Sequence, residues 1–187
     1  MRIVLASQSP RRAALLAMAG MAFDVDPADV DERVLAGERP EPYVRRIARA
    51  KAETVAARHP GRVVLAADTT VVLDEAILAK PVDRPDAARM LRALAGRDHD
   101  VLTGVAVARD GRVDDHVEST RVTFAPMTGD EIASYVASGE ADDKAGAYGI
   151  QGLAACFIPR IDGSYSNVVG LPVEVVYRML RAGTVTR

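Results

Sequence analysis

Val63-Val64-Leu65-Ala66-Ala67-Asp68-Thr69-Thr70-Val71-Val72-Leu73 sets two apolar, β-prone runs on either side of one aspartate and one threonine. Short apolar runs rich in β-branched residues read as buried strands. The expectation is therefore a strand over 63–67 and a second over 70–73, with Asp68 and Thr69 at the junction. Carboxylates at strand ends in α/β proteins often face the ligand crevice. On these grounds Asp68 is a ligand for a divalent metal, an acceptor for a proton from water, both at once through one metal-bound water, or an ordinary aspartate in a turn.

Outward from this stretch the chain alternates only loosely between strand and helix. Upstream, a helix is expected from about 42 to 58, with Val44, Ile47, Ala48 and Val55 on one apolar stripe. Lys51 falls near the middle of that stripe. A lysine at a core-facing position must snorkel, pair, or point into a polar cleft. The last is preferred here, as a phosphate ligand, and Lys51→Met is then expected to leave stability equal or better. Downstream, Asp83 caps a helix over 85–94 that Gly96 stops. Strands over 101–108 and about 117–124 form a hairpin around Asp110-Gly111, and Thr128 with Glu131 makes a capping box for a helix through Val136. A strand near 155–161 and a helix over 171–180 follow. At the front, a strand over 2–6 leads into Ser9 as N-cap and Pro10 at the first helical position, with Gly20 as the stop. The fold class is α/β, a mixed twisted sheet flanked by helices.

Composition narrows the function. With 24 Lys and Arg against 26 Asp and Glu, the net charge of −2 argues against a general nucleic-acid binder. Cys156 is the only cysteine, so neither an internal disulfide nor a cysteine-rich zinc site can form. It sits in an apolar, strand-like run and reads as inert packing. His59, His99 and His116 lack a metal-ligand spacing, and no Gly-x-Ser-x-Gly elbow accompanies them. Residues 1–6 are too short an apolar run for a signal peptide, and no stretch reaches the roughly 18 apolar residues of a membrane span. A cytoplasmic protein is expected.

Four further segments carry chemistry. Ser7-Gln8-Ser9-Pro10-Arg11-Arg12 lies between a strand and a helix, where unpaired N–H groups and the macrodipole favour an anion. Two arginines in that first turn run against the dipole, which makes sense if an anion sits among them; the alternative is a plain cap with two solvated arginines. Lys80-Pro81 offers another cation in a loop. Asp29, Asp31 and Glu32 form either a solvated acidic loop or a source of oxygen ligands for Mg²⁺ or Mn²⁺. Asp143-Lys144-Ala145-Gly146-Ala147-Tyr148-Gly149-Ile150-Gln151-Gly152 is punctuated by glycine without being a dinucleotide fingerprint or a P-loop. It either lets a ligand approach closely or simply turns the chain.

Leu5-Ala6-Ser7-Gln8-Ser9-Pro10-Arg11-Arg12, Ala67-Asp68-Thr69 with Lys80-Pro81, the segment 143–152, and Ser166-Asn167-Val168-Val169-Gly170-Leu171-Pro172 stand in one order along nearly the whole chain. In that order they resemble the Maf proteins. The resemblance implies one Maf-like domain over 1–187, an inosine triphosphate pyrophosphatase-like fold with two lobes around a central cleft, and often a homodimer. It implies hydrolysis of a nucleoside triphosphate to the monophosphate and pyrophosphate with a divalent metal, Mg, Mn or Co, in nucleotide-pool house-cleaning. By the same resemblance Asp68 is the proton acceptor and Arg11, Thr69 and Gln151 set specificity. Ser7, Arg12, Lys51 and Lys80 surround the phosphates, and Glu32 joins Asp68 as a metal ligand. The form of the 143–152 segment resembles the branch acting on dTTP and UTP, with modified pyrimidine nucleotides as further candidates, rather than the branch acting on 7-methyl-GTP. Ala79 stands where glycine is usual before Lys-Pro. A nucleotide-binding regulator of septum formation is the reading from another class, and the presence of Asp68 favours an enzyme.

Overall fold

The computed structural model describes residues 2–182. Met1 and residues 183–187, the ends of the domain expected over 1–187, lie outside them. Seven strands form one mixed sheet: β1 (Ile3–Leu5), β2 (Phe23–Val25), β3 (Val64–Leu73), β4 (Ala76–Leu78), β5 (Asp98–Arg109), β6 (Arg112–Thr123) and β7 (Arg160–Asp162). Their order is β2-β1-β3-β5-β6-β7, with β4 also paired to β3. β1 runs parallel to β2 and β3, while β4 and β7 run antiparallel to β3 and β6. The helices are α1 (Pro10–Met18), α2 (Pro40–Ala56), α3 (Arg84–Leu94), α4 (Gly129–Ala137), α5 (Tyr165–Val169) and α6 (Val173–Ala182).

Local chemistry sets most of these boundaries. The Ser9 side chain accepts from the Arg12 amide, and the Asp83 side chain from the Asp86 amide, so each satisfies a donor at a helix start. Thr128 and Glu131 close a reciprocal capping box at α4. Asp110 and Gly111 both take positive φ, 49° and 77°, the pairing a tight hairpin between β5 and β6 requires.

Three expectations need correction. The strands expected over 63–67 and 70–73 are one strand, β3, which runs straight through Asp68 and Thr69. Both threonines are β-branched, and the aspartate is tolerated in the strand because its charge is met by a lysine. The helix expected from 42 starts at Pro40, since first-turn prolines lose no hydrogen bond. The strand expected near 155–161 is a 3₁₀ turn, Leu153–Phe157, followed by the three-residue β7. Pro159 lacks the N–H a ladder needs, and Cys156 is exposed on the turn rather than packed.

The backbone divides into two compact units. The first comprises the chain up to Thr69, Thr103–Glu118 and the chain from Gly170; the second comprises Thr70–Leu102 and Ser119–Val169. In the first unit, α2 lies against the sheet through small residues: Ala48 and Ala52 pack with Val4, Val64, Ala66 and Ala106. Gly104 permits this closeness, because a Cβ there would stand 2.3 Å from the carbonyl oxygen of Val44. That seating fixes where Lys51 points. The second unit has bulkier filling, including Leu73, Met90, Leu91, Leu94, Phe124 and Ile132. Each such side chain contributes about 1.5–3 kcal/mol by leaving water.

Candidate functional site

β1 is short and β3 is long, and their register explains where Asp68 sits. Val4 pairs with Val64 and Leu5 with Leu65. Carried on, this register places Ser7 level with Ala67, just where β1 gives way to the loop before α1. Asp68 and Thr69 therefore lie beside the carboxyl end of β1, although their own strand continues past them.

Arg12, in the first turn of α1, is held by three neutral oxygens. Its Nε donates to the Gly170 carbonyl at 2.8 Å, Nη1 to Ser7 Oγ at 3.1 Å and Nη2 to Thr69 Oγ1 at 3.0 Å. Ser7 Oγ also accepts from the Ser9 amide, and Thr69 Oγ1 lies 2.9 Å from Thr103 Oγ1. A guanidinium carries five N–H donors, so two remain once these bonds are made. Burial pushes the Arg12 pKa down from its ordinary value; the Asp68 charge works the other way, and the neighbouring Arg11 adds to the lowering. A partly buried cation fixed by neutral acceptors, with donors to spare, is prepared for an anion.

Lys51 meets two carboxylates. Its Nζ lies 2.8 Å from Asp68 Oδ1 and 2.7 Å from Glu32 Oε1. Lys51 and Asp68 are buried, whereas the Glu32 side chain is half exposed. The helical stripe foresaw a core-facing lysine, but this pairing reverses the expectation for Lys51→Met. Removing one partner of a buried pair strands the other charge, so stability should fall. Tyr43, about two turns before Lys51 on α2, donates to the Glu32 carbonyl at 3.0 Å and holds the acidic loop in place. Its own pKa is raised, first by burial and then by the Asp68 and Glu32 charges.

Ser7, Arg12 and Thr69 thus form one bonded group and Glu32, Lys51 and Asp68 a second, both within the first unit and linked by the chain from Asp68 to Thr69 and by the pull of the Asp68 charge on Arg12. Arg11 belongs to the same turn and is partly exposed. Asp29 is exposed, and Asp31 is taken up by Arg33 at 2.6 Å. Lys80 and Gln151 belong to the second unit, each exposed. Two participants escaped the sequence reading. Thr103 carries no motif, and the Gly170 carbonyl could be suspected only from its place in the 166–172 block. A side chain at Gly170 would be strained, because φ is +124° there.

Oxygen donors alone converge on Lys51, which is the donor chemistry of a hard divalent cation. Among the described residues no group of three His, Cys, Asp or Glu could enclose a metal. Glu32 and Asp68 fit instead the Mg²⁺ pattern of one or two protein carboxylates completed by substrate phosphate oxygens.

Residues 2–183 match the family described as Maf-like protein. Among similar proteins, a dTTP/UTP pyrophosphatase of Anaeromyxobacter dehalogenans (strain 2CP-C) is 55% identical over 96% of this chain and 93% of its own. Another, of Koribacter versatilis (strain Ellin345), is 51% identical over 97% and 94%. A third, of Geobacter sulfurreducens, is 53% identical over 97% of each chain. The solved structure of the Staphylococcus aureus Ham1 protein is 16% identical, covering 67% of this chain and 72% of its own, with a TM-score of 0.47.

Proposed function

The chain belongs to the Maf family, and on that premise we propose that it hydrolyses dTTP and UTP to the nucleoside monophosphate and pyrophosphate. The observation that carries this reading is Arg12, a partly buried guanidinium with unused donors, in the same unit as the Lys51–Asp68–Glu32 group. The names of the similar proteins support the choice of bases over 7-methyl-GTP. The intact Asp68 supports an enzyme over a regulator that only binds.

Hydrolysis of a phosphoanhydride depends mainly on positioning and charge stabilisation. Asp68 takes the proton of a water attacking the α-phosphorus, the bond to the bridging oxygen breaks, and pyrophosphate leaves. Arg12 directs its two remaining N–H donors at phosphate oxygens, while Ser7 and Thr69 keep its plane fixed. Lys51 holds Asp68 in place and adds a cation to the phosphates, with Arg11 and Lys80 as further cations. A divalent cation held by Glu32 and Asp68, Mg²⁺, Mn²⁺ or Co²⁺, would supply neutralising charge and ease deprotonation of water. Gln151 carries a donor and an acceptor suited to the N–H and carbonyl edge of uracil and thymine. Among the described residues no helix is long and apolar enough to cross a membrane. A cytoplasmic homodimer that cleans the nucleotide pool, modified pyrimidines included, completes the reading.

The purified chain should be given UTP, dTTP, CTP and 7-methyl-GTP, each with Mg²⁺, Mn²⁺ or Co²⁺, and the products identified. UMP and dTMP with pyrophosphate are expected. Release of inorganic phosphate, or a preference for 7-methyl-GTP, would overturn the reading.

A further inference from the structure

In the second unit, two side chains around the end of α4 hold the segment that bears Gln151. Tyr135 is buried on α4, and its hydroxyl donates to Glu140 Oε1 at 2.6 Å while accepting from the Gly149 amide at 3.2 Å. The other carboxylate oxygen of Glu140, Oε2, accepts from the Leu153 amide at 2.9 Å. Gly149 and Leu153 are the two feet of a short loop, closed by a bond from the Gly152 amide to the Gly149 carbonyl. Gln151 stands between those feet, exposed, while Ile150 and Ala154 on either side of it are buried.

The geometry leaves little freedom. Glu140 is turned back toward the loop by Gly139 at positive φ and by Ser138, whose hydroxyl donates to the Tyr135 carbonyl and accepts from the Glu140 amide. The Lys144 ammonium closes the other side on the Glu140 carbonyl at 2.7 Å. A Cβ on Gly152 would lie 2.1 Å from Glu140 Oε2, so only glycine lets the carboxylate come this near. Burial alone would raise the Glu140 carboxyl, but the bonds from Tyr135 and from the Leu153 and Ala154 amides outweigh it and hold the group below its ordinary value. The ionised carboxylate holds the Leu153 foot directly and the Gly149 foot through the Tyr135 hydroxyl, whereas a carboxamide replaces one of the two acceptor oxygens by a donor and forfeits the charge-assisted bond there.

We propose that Tyr135 and Glu140 are positioning residues for base selection: they fix the Gly149–Leu153 loop at both feet and so set where Gln151 meets the pyrimidine. This rests on the reading that Gln151 faces the base. Two glycines would otherwise leave the loop mobile, and small misplacement of a recognition group is costly. Neither residue touches substrate. Their effect passes through Gln151.

The experiment measures kcat and KM for UTP, dTTP and CTP, and inhibition by inorganic tripolyphosphate, in wild type, E140Q, Y135F, Q151E and the E140Q/Q151E double variant. In E140Q, KM for UTP and dTTP should rise about 10-fold, as when a hydrogen bond to a charged group is lost. kcat should change much less, and inhibition by tripolyphosphate, which has no base, should stay as in wild type. The preference for UTP over CTP should narrow. Y135F should move the same quantities in the same direction by less, and it carries the comparison if E140Q does not fold. In the double variant the preference should be no narrower than in Q151E alone, because both changes act through one contact. Independent, multiplying effects in the double variant overturn the proposal. So does an E140Q or Y135F defect confined to kcat, or shared equally by tripolyphosphate. If Q151E narrows the preference while E140Q and Y135F leave it alone, the positioning role fails and the base-facing role of Gln151 stands. If Q151E itself leaves the preference untouched, the base-facing role fails and takes the positioning role with it.

Discussion

In the first unit the buried polar side chains include Lys51 and Asp68, a charged pair; in the second they are Thr70, His99, Thr120 and Asn167, all neutral. The neutral set is built into the packing. Asn167 donates to the Val101 carbonyl at 2.9 Å and to Thr120 Oγ1 at 3.0 Å, and His99 pairs with the Tyr148 hydroxyl at 2.7 Å. Such groups order a core at modest cost when they are satisfied. A buried charge pair is different, because desolvation can exceed the attraction and an apolar pair of similar volume is often as stable. Its presence in the first unit therefore points to chemistry, and the neutral groups of the second unit point to shape.

The largest effect should come from Asp68→Asn, which keeps the shape and removes the charge. Turnover of UTP should fall by about 10²-fold or more with the fold intact, as read from kcat and a thermal unfolding scan. Near-normal turnover would remove Asp68 from the chemistry and make its pair with Lys51 purely structural.

Lys51→Met sharpens the same contrast through stability. It leaves Asp68 buried without its cation, and roughly 3 kcal/mol should be lost; the figure is at the low end because the other carboxylate, Glu32, is half exposed. Denaturant unfolding measures this directly. Adding Asp68→Asn to Lys51→Met should restore part of the loss, since the stranded charge is then gone. If Lys51→Met alone is as stable as wild type, the pair is not the cost it is argued to be.

How much of this was visible beforehand depended on the range of each interaction. The stripe of α2 exposed Lys51 as anomalous, because helical periodicity is local. Its partners Glu32 and Asp68 lie far off in sequence, so pairing with carboxylates could not be separated from binding phosphate. The cap at Ser9 and the box at Thr128 were legible for the same local reason. Arg12 was suspected from an unfavourable placement against the dipole, but its three neutral acceptors come from Ser7, Thr69 and Gly170, which only the sheet brings together. Cys156 was misplaced because apolar composition was weighed above Pro159, which ends any ladder. Gln151 stood out as a donor and acceptor among glycines, but its role in specificity came only through resemblance; Tyr135 and Glu140 straddle a helix end and follow no repeating period.

The second unit's neutral histidine gives the smallest and most specific test. His99 is 3% exposed, packed edge-on against Phe124 and Tyr148 at 5.3 and 5.4 Å between ring centroids. Nδ1 is buried and has no hydrogen-bond partner among the described residues. An imidazolium would place an N–H there with nothing to receive it. Burial accordingly pushes the group from 6.5 down to about 4, with Asp98 pulling weakly back. As pH falls through 6.5 the unfolded chain takes a proton on this residue, while the folded chain does not until about 4. Protons thus favour the unfolded state across that window, and stability drops as pH falls. Between pH 8 and pH 5 the contribution of His99 should be about 2 kcal/mol. Asp24 and Asp31, each held down to about 2 by arginines, lose their contributions only below the ordinary carboxylate range and so outside this interval. H99Q retains a polar group for Tyr148 but cannot titrate. Its unfolding free energy, followed by urea from pH 8 to pH 5, should fall less steeply than that of wild type by this amount. Parallel curves would mean that His99 is protonated in the folded protein, and that the second unit also buries charge.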